Sequence, residues 1–110
     1  MNKTQLVEIA KALEDKKGMH VLILDVRELV SYTDYLVICS GNSHPHVRSL
    51  VSAVEDIQGL GNTYVNSSAD DSWWILDYVD IVVHVFREDV RLFYDLEGLW
   101  CDAKAVSLPH

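Results

Sequence analysis

The chain has 110 residues and a mass of 12.5 kDa, and 49% of its residues are hydrophobic, enough for one domain with a core and too much for wholesale disorder. Nine Lys and Arg against 17 Asp and Glu give a formal net charge of −8. That charge argues against phosphate or nucleic-acid binding as the main business and favours a basic partner. No apolar run is long enough to span a membrane, and the polar, helix-like segment after Met1 resembles neither a secretion leader nor a transit peptide. The expectation is therefore a cytoplasmic protein.

Gln5 to Lys16 is predicted to be a helix, because Leu6, Ile9, Ala10 and Leu13 recur at helical spacing and share one face. Thr4 is the expected N-cap. Lys16 and Lys17 suit the negative end of the helix dipole, and Gly18 suits the position just past it. His20 to Val26 is nearly continuous in apolar residues and predicts a strand buried on both faces. Glu28 to Thr33 is a connector. Asp34 to Ser40 is a second buried strand closed by Gly41, with Cys39 inside it as a reduced, buried thiol. Two distant cysteines, Cys39 and Cys101, make no disulfide framework and fit a reducing compartment.

Ser43 opens a second helix with Pro45 in its first turn. Val47, Leu50, Val51, Val54 and Ile57 line one face of it, up to an end at Gly59 and Gly61. Asn62 to Val65 predicts a short edge strand and Asn66 to Ser72 a polar loop. Trp73 to Tyr78 and Asp80 to Phe86 are two strands joined tightly around Tyr78-Val79, and Glu88 to Glu97 is a third helix that Gly98 ends or weakens. Buried strands interleaved with helices imply an α/β (α+β) layer around a mixed β-sheet with flanking helices. Part of that sheet must be antiparallel, because one connector is too short for a parallel crossover. Residues 1–110 are expected to form a single domain.

A two-residue loop at Tyr78-Val79 would pair Asp77 with Asp80, Ile75 with Val82 and Trp73 with His84. One face of this hairpin then carries Trp73, Ile75, Asp77, Val82, His84 and Phe86, and the other carries Trp74, Leu76, Ile81, Val83 and Val85. The second face is wholly apolar and is the better candidate for packing under helices. The first mixes aromatic, basic and acidic groups. Either a helix of the same chain covers it, or part stays exposed as an aromatic anchor ringed by acid, the composition of an interface hot spot. Nine of the acidic residues lie in residues 66–102, against only Arg87 and Arg91 there. That excess is either a solvated surface or a complement to a basic partner.

Catalytic signals are weak. Asp77 and Asp80 lie across a bend and do not form the Asp-x-Asp pair that a two-metal site needs. His44 and His46 flank Pro45 with no third ligand at zinc spacing. Ser40-Gly41-Asn42-Ser43 resembles an anion cradle at a helix start but lacks the Gly-rich loop and Lys of a phosphate-binding loop. No nucleophile–base constellation emerges, and no cofactor is implied.

Three segments in order resemble the ribosomal silencing factor family, also called Iojap-like (RsfS). They are Ser31-Tyr32-Thr33-Asp34-Tyr35-Leu36-Val37-Ile38-Cys39-Ser40-Gly41, Trp73 through Phe86, and Arg91-Leu92-Phe93-Tyr94-Asp95-Leu96-Glu97-Gly98-Leu99-Trp100. The resemblance spans roughly Leu6 to Asp102. It implies a nucleotidyltransferase-like core without catalytic residues. It also implies a non-enzymatic protein that binds the large ribosomal subunit through its fourteenth protein, hinders joining of the small subunit and lowers translation when nutrients are scarce. Because organellar relatives carry a targeting extension, a bacterial cytoplasmic member is expected, with no membrane and little direct nucleic-acid contact. By motif position, Trp73, Asp77 and Asp80 fall on the implied partner surface, with Val82 and His84 beside them. The family turn usually carries Gly where this chain has Val79, a Glu-Gly pair where it has Asn66-Ser67-Ser68-Ala69, and a basic residue where it has Gly98. The alternatives are a small nucleotide-binding or nucleotidyltransferase-like enzyme, and a protein that forms a homodimer when free through the same face.

Overall fold

The computed structural model describes residues 3–28, 33–57, 64–78, 80–90 and 104–105. The elements in chain order are α1 (Lys3–Asp15), β1 (Met19–Asp25), β2 (Tyr35–Gly41), α2 (His44–Glu55), β3 (Tyr64–Ser67), β4 (Trp73–Asp77), β5 (Ile81–Arg87) and β6 (Lys104–Ala105). The strands form one mixed six-stranded sheet in the order β3-β4-β5-β2-β1-β6. Only β2 and β5 run parallel, and every other neighbouring pair is antiparallel.

The strand alternation expected from the sequence sorts the core into two layers. Leu6, Ile9, Ala10 and Leu13 of α1 and Val47, Leu50, Val51 and Val54 of α2 pack against Val37, Cys39, Leu76, Ile81, Val83 and Val85. The opposite sheet face gathers Leu24, Val26, Leu36, Ile38, Val82 and Phe86, with Leu22, Trp73, Ile75 and Val90 packed against them. The central strand β2 is buried on both faces, as its unbroken apolar run requires. Cys39 is the buried free thiol expected, while Cys101 lies outside the described residues.

The helix ends refine the sequence reading. α1 begins at Lys3, so Thr4 lies inside it rather than capping it. At the other end Gly18 donates to the Leu13 carbonyl at 2.8 Å and Lys17 to the Glu14 carbonyl at 2.9 Å. This pair of bonds is a Schellman closure, and it places Lys17, not Gly18, in the left-handed conformation at φ 60°. Gly18 is required for a different reason. A Cβ there would stand 2.6 Å from the Cys39 Sγ and 2.8 Å from the Leu13 carbonyl oxygen.

α2 is capped by Ser43, whose Oγ accepts the His46 amide at 3.3 Å, with Pro45 in the first turn as expected. It ends at Glu55, earlier than the two glycines suggest; Gly59 and Gly61 lie outside the described residues. β1 carries an irregularity between Met19 and Leu22, where His20 adopts φ 51°. The predicted third helix is helical at residues 88–90, and the rest of it lies outside the described residues. Among the described residues, no helix is long and apolar enough to cross a membrane.

Candidate functional site

The β4–β5 hairpin differs in register from the sequence reading. Trp73 pairs with Phe86, Ile75 with His84 and Asp77 with Val82, a slip of two residues from the pairing expected of a two-residue loop. The cause is Tyr78. Its ring is buried in the core beneath the helices, so it is unavailable as a turn tip. The chain closes one step later, with the Tyr78 amide donating to the Ile81 carbonyl and the Asp80 amide to the Tyr78 carbonyl, both at 2.9 Å. The Asp80 carbonyl in turn accepts the Asp34 and Tyr35 amides at 3.0 and 3.1 Å, tying the turn to the start of β2. Val79 lies outside the described residues. Because side chains alternate with period two, the slip leaves the face assignment intact. Trp73, Ile75, Val82 and Phe86 lie together on one layer, and Trp74, Leu76, Ile81, Val83 and Val85 on the other.

On the mixed face an aromatic group forms around β5. The Trp73 and Phe86 rings lie 4.8 Å apart at centroid, and the His84 ring stacks on Phe86 at 6.0 Å. The Trp73 indole N–H donates to Nδ1 of His84 at 3.2 Å. Indole is a donor only, so His84 Nδ1 carries the lone pair and the imidazole is neutral. Burial pushes the His84 pKa down from 6.5 to about 4, in the same direction. His84 is thus a satisfied, half-buried histidine. Phe86 is fully buried and Val82 only 6% exposed, so the centre of this face is interior. Trp73, Asp77, Asp80 and His84 keep partial solvent access.

The loop after β3 is more ordered than its polar composition suggests. Asp70 Oδ1 accepts the hydroxyls of Ser72 at 2.7 Å and Ser68 at 2.8 Å, together with the Ser72 amide at 3.2 Å. The Ser72 and Ser68 hydroxyls and the Ser72 amide lower the Asp70 pKa to about 2. Asp71 takes φ 58°, its carbonyl accepts the Trp74 indole N–H at 3.1 Å, and its carboxylate accepts the Ser67 hydroxyl at 3.2 Å. Short local bonds of Ser and Asp to their own backbone build this turn.

The other sequence candidates are engaged structurally. His46 accepts the Asn42 amide at Nδ1 (2.9 Å) and bonds the Lys16 carbonyl through Nε2 (2.8 Å), which joins the end of α1 to the start of α2. His44 Nε2 contacts Arg87, which also chelates Asp89 at 2.6 and 3.0 Å. In the anion-cradle candidate, Ser40 is buried, the Asn42 amide is taken by His46, and Ser43 caps α2. An open depression of about 440 Å³ beside Asn42 is lined by Met19, Arg87, Glu88 and Asp89, so two carboxylates face any anion there. Among the described residues no three His, Cys, Asp or Glu side chains converge as a metal site would need.

The outer strand expected at Asn62 to Val65 is present but displaced along the chain. β3 covers Tyr64–Ser67, two residues later than expected, and pairs Tyr64 with Asp77 and Asn66 with Ile75. Tyr64 is therefore on the same sheet face as Asp77 and extends the mixed face to the sheet edge. It is 81% exposed and Val65 38%, the two exposed large hydrophobics among the described residues. The aromatic and β-branched pair Tyr64-Val65 belongs to both the expected strand and the observed one, and the two differ only in where the strand starts and ends.

Over residues 1–110 the chain matches the family described as ribosomal silencing factor during starvation. It is 36% identical to the ribosomal silencing factor RsfS of Bacillus subtilis, across 98% of this chain and 95% of that protein. It is 33% identical to the RsfS of Halalkalibacterium halodurans, across 98% and 96% respectively. A crystal structure of a Bacillus halodurans protein superposes with a TM-score of 0.83 at 31% identity, covering 97% of this chain and all of that one.

Proposed function

Because the chain belongs to the ribosomal silencing factor family, we propose that it is a cytoplasmic, single-domain repressor of translation. In this reading it binds the large ribosomal subunit through that subunit's fourteenth protein and blocks joining of the small subunit when nutrients are scarce. The match along the whole chain, to relatives named as regulatory factors and not as enzymes, carries this reading. Sterics suffice for the mechanism. A rigid domain seated near the joining surface excludes the small subunit without any chemical step.

The partner surface in this proposal is Trp73, Asp77, Asp80 and His84, with Val82 as the buried support opposite Asp77. Asp77, opposite Val82, and Asp80, in the turn beyond it, put carboxylates at the turn end of the hairpin, where they would complement a basic ribosomal protein. The net charge of −8 is repelled by nearby rRNA, which confines docking to protein. The test is co-sedimentation with isolated large subunits. Asp77→Lys and Trp73→Ala are expected to weaken pelleting and to relieve the block on subunit joining, while far-ultraviolet circular dichroism checks that each variant is folded. Wild-type co-sedimentation by both folded variants would refute the assignment.

A further inference from the structure

We infer that the outer edge of β3 is a strand-addition site for an extended, Lys- or Arg-bearing segment of a partner protein. The inference rests on the ribosome-binding proposal and adds how the partner is held. β3 ends the sheet, and among the described residues nothing pairs with its outer side. The Ser68 amide donates to the Trp73 carbonyl, which sets the phase of the ladder. Asn66 and Tyr64 then turn their backbone groups to β4, while Val65 and Ser67 turn theirs outward. The Arg87 amide bond to the Ser72 carbonyl on the other side of β4 fixes the same phase independently. The outward Ser67 amide is capped by Asn66 Oδ1 at 2.9 Å, so the Val65 N–H and C=O are the pair presented to an incoming strand. Exposed backbone of this kind is the template for strand addition.

The side chains give the edge a preference. Tyr64 and Val65 supply exposed apolar surface at the open pair. Residues 64–78 hold Asp70, Asp71 and Asp77 and no Lys or Arg. Asp70 and Asp71 follow the Ser67 end of the strand, and Asp77 lies opposite its Tyr64 end. Acid therefore brackets both ends of the edge. Phosphates are repelled by such a site, and a second copy would bring a second −8 chain against it. A basic peptide segment satisfies both the backbone and the charge.

The experiment compares Val65→Pro, Tyr64→Ser and Asp77→Lys with wild type in pelleting assays on isolated large subunits, together with hydrogen exchange of the segment 64–67. Proline removes the outward amide of Val65 but no bond to β4, so the sheet is retained. Val65→Pro is expected to weaken binding about tenfold, the value of one lost hydrogen bond. Tyr64→Ser is expected to weaken it less, and exchange of 64–67 should slow in the wild-type complex. Loss of binding in Asp77→Lys with wild-type affinity in Val65→Pro and Tyr64→Ser, or unchanged exchange of 64–67 in the complex, overturns strand addition and leaves the ribosomal reading standing. Failure of the wild type to pellet overturns both. A Val65→Pro effect on binding to protein-free rRNA, or on self-association alone, overturns the basic-peptide occupant. Should Val65→Pro fail to fold, Tyr64→Ser and the exchange measurement decide.

Discussion

Gly18→Ala tests the packing of the helical layer at its tightest point. The added methyl would stand 2.6 Å from the Cys39 Sγ, 2.8 Å from the Leu13 carbonyl oxygen and 3.2 Å from the Leu50 Cδ2. None of these neighbours yields easily. The Leu13 carbonyl is held by the amide of Gly18 itself at 2.8 Å, and Cys39 and Leu50 are fully buried. Overpacking of this kind costs about 1–3 kcal/mol. The reduced entropy of the unfolded chain returns about 0.4–1 kcal/mol. A net loss of about 1.3 kcal/mol lowers the urea midpoint by about 0.5–1 M at unchanged slope. The Cys39→Ala background removes the nearest atom, so the two changes should couple favourably rather than add. Lys17→Gly has the opposite sign, because a left-handed lysine costs about 1–2 kcal/mol, of which the entropy of glycine gives back about half. Equilibrium urea unfolding of the four variants reads all of this. A Gly18→Ala protein within about 0.5 kcal/mol of wild type, or a Lys17→Gly protein less stable than wild type, would refute the argument.

Three further outcomes are expected. Ser43→Ala loses the cap of α2 and about 1 kcal/mol, whereas Ser43→Asp retains it, as thermal melts will show. His46→Ala breaks the bond to the Lys16 carbonyl that joins α1 to α2, together with the local bond from the Asn42 amide, and costs about 1–2 kcal/mol in the same assay. The neutral His84 makes stability depend on pH. Its native pKa of about 4 lies below the ordinary 6.5, so between these values the unfolded chain binds more protons. Stability is therefore full above pH 6.5, falls as the pH drops to about 4, and levels off below. The loss is at most about 3 kcal/mol, and urea midpoints for His84→Gln should show a flatter slope across that window.

Much of the site is legible in the sequence because it depends on period. The alternation through Trp73–Asp77 and Ile81–Arg87 assigns each side chain to a face whatever the register, and both layers follow it. Register is not legible, since it turns on whether Tyr78 spends its ring on the core or on a turn. The Trp73–His84 bond depends on that register, which sets Ile75, not Trp73, opposite His84. The serine and aspartate turn at residues 68–72 reads as a featureless polar loop, because its order lies in side-chain bonds that composition does not specify.

The sequence by itself determined which residues are apolar, their spacing and the sign of the charge. Hydrophobic burial then leaves few ways to stack two helices on a mixed sheet. Tertiary structure decided where strands meet and end. It put the left-handed residue at Lys17 and reserved Gly18 for close approach to Cys39. It also left β3 at the rim, with Tyr64 beside Asp77. Those outcomes depend on contacts between residues far apart in the chain, which local propensity does not encode. The net charge of −8 is fixed by composition, but the bracketing of the β3 edge by Asp70, Asp71 and Asp77 exists only once β3 and β4 have paired.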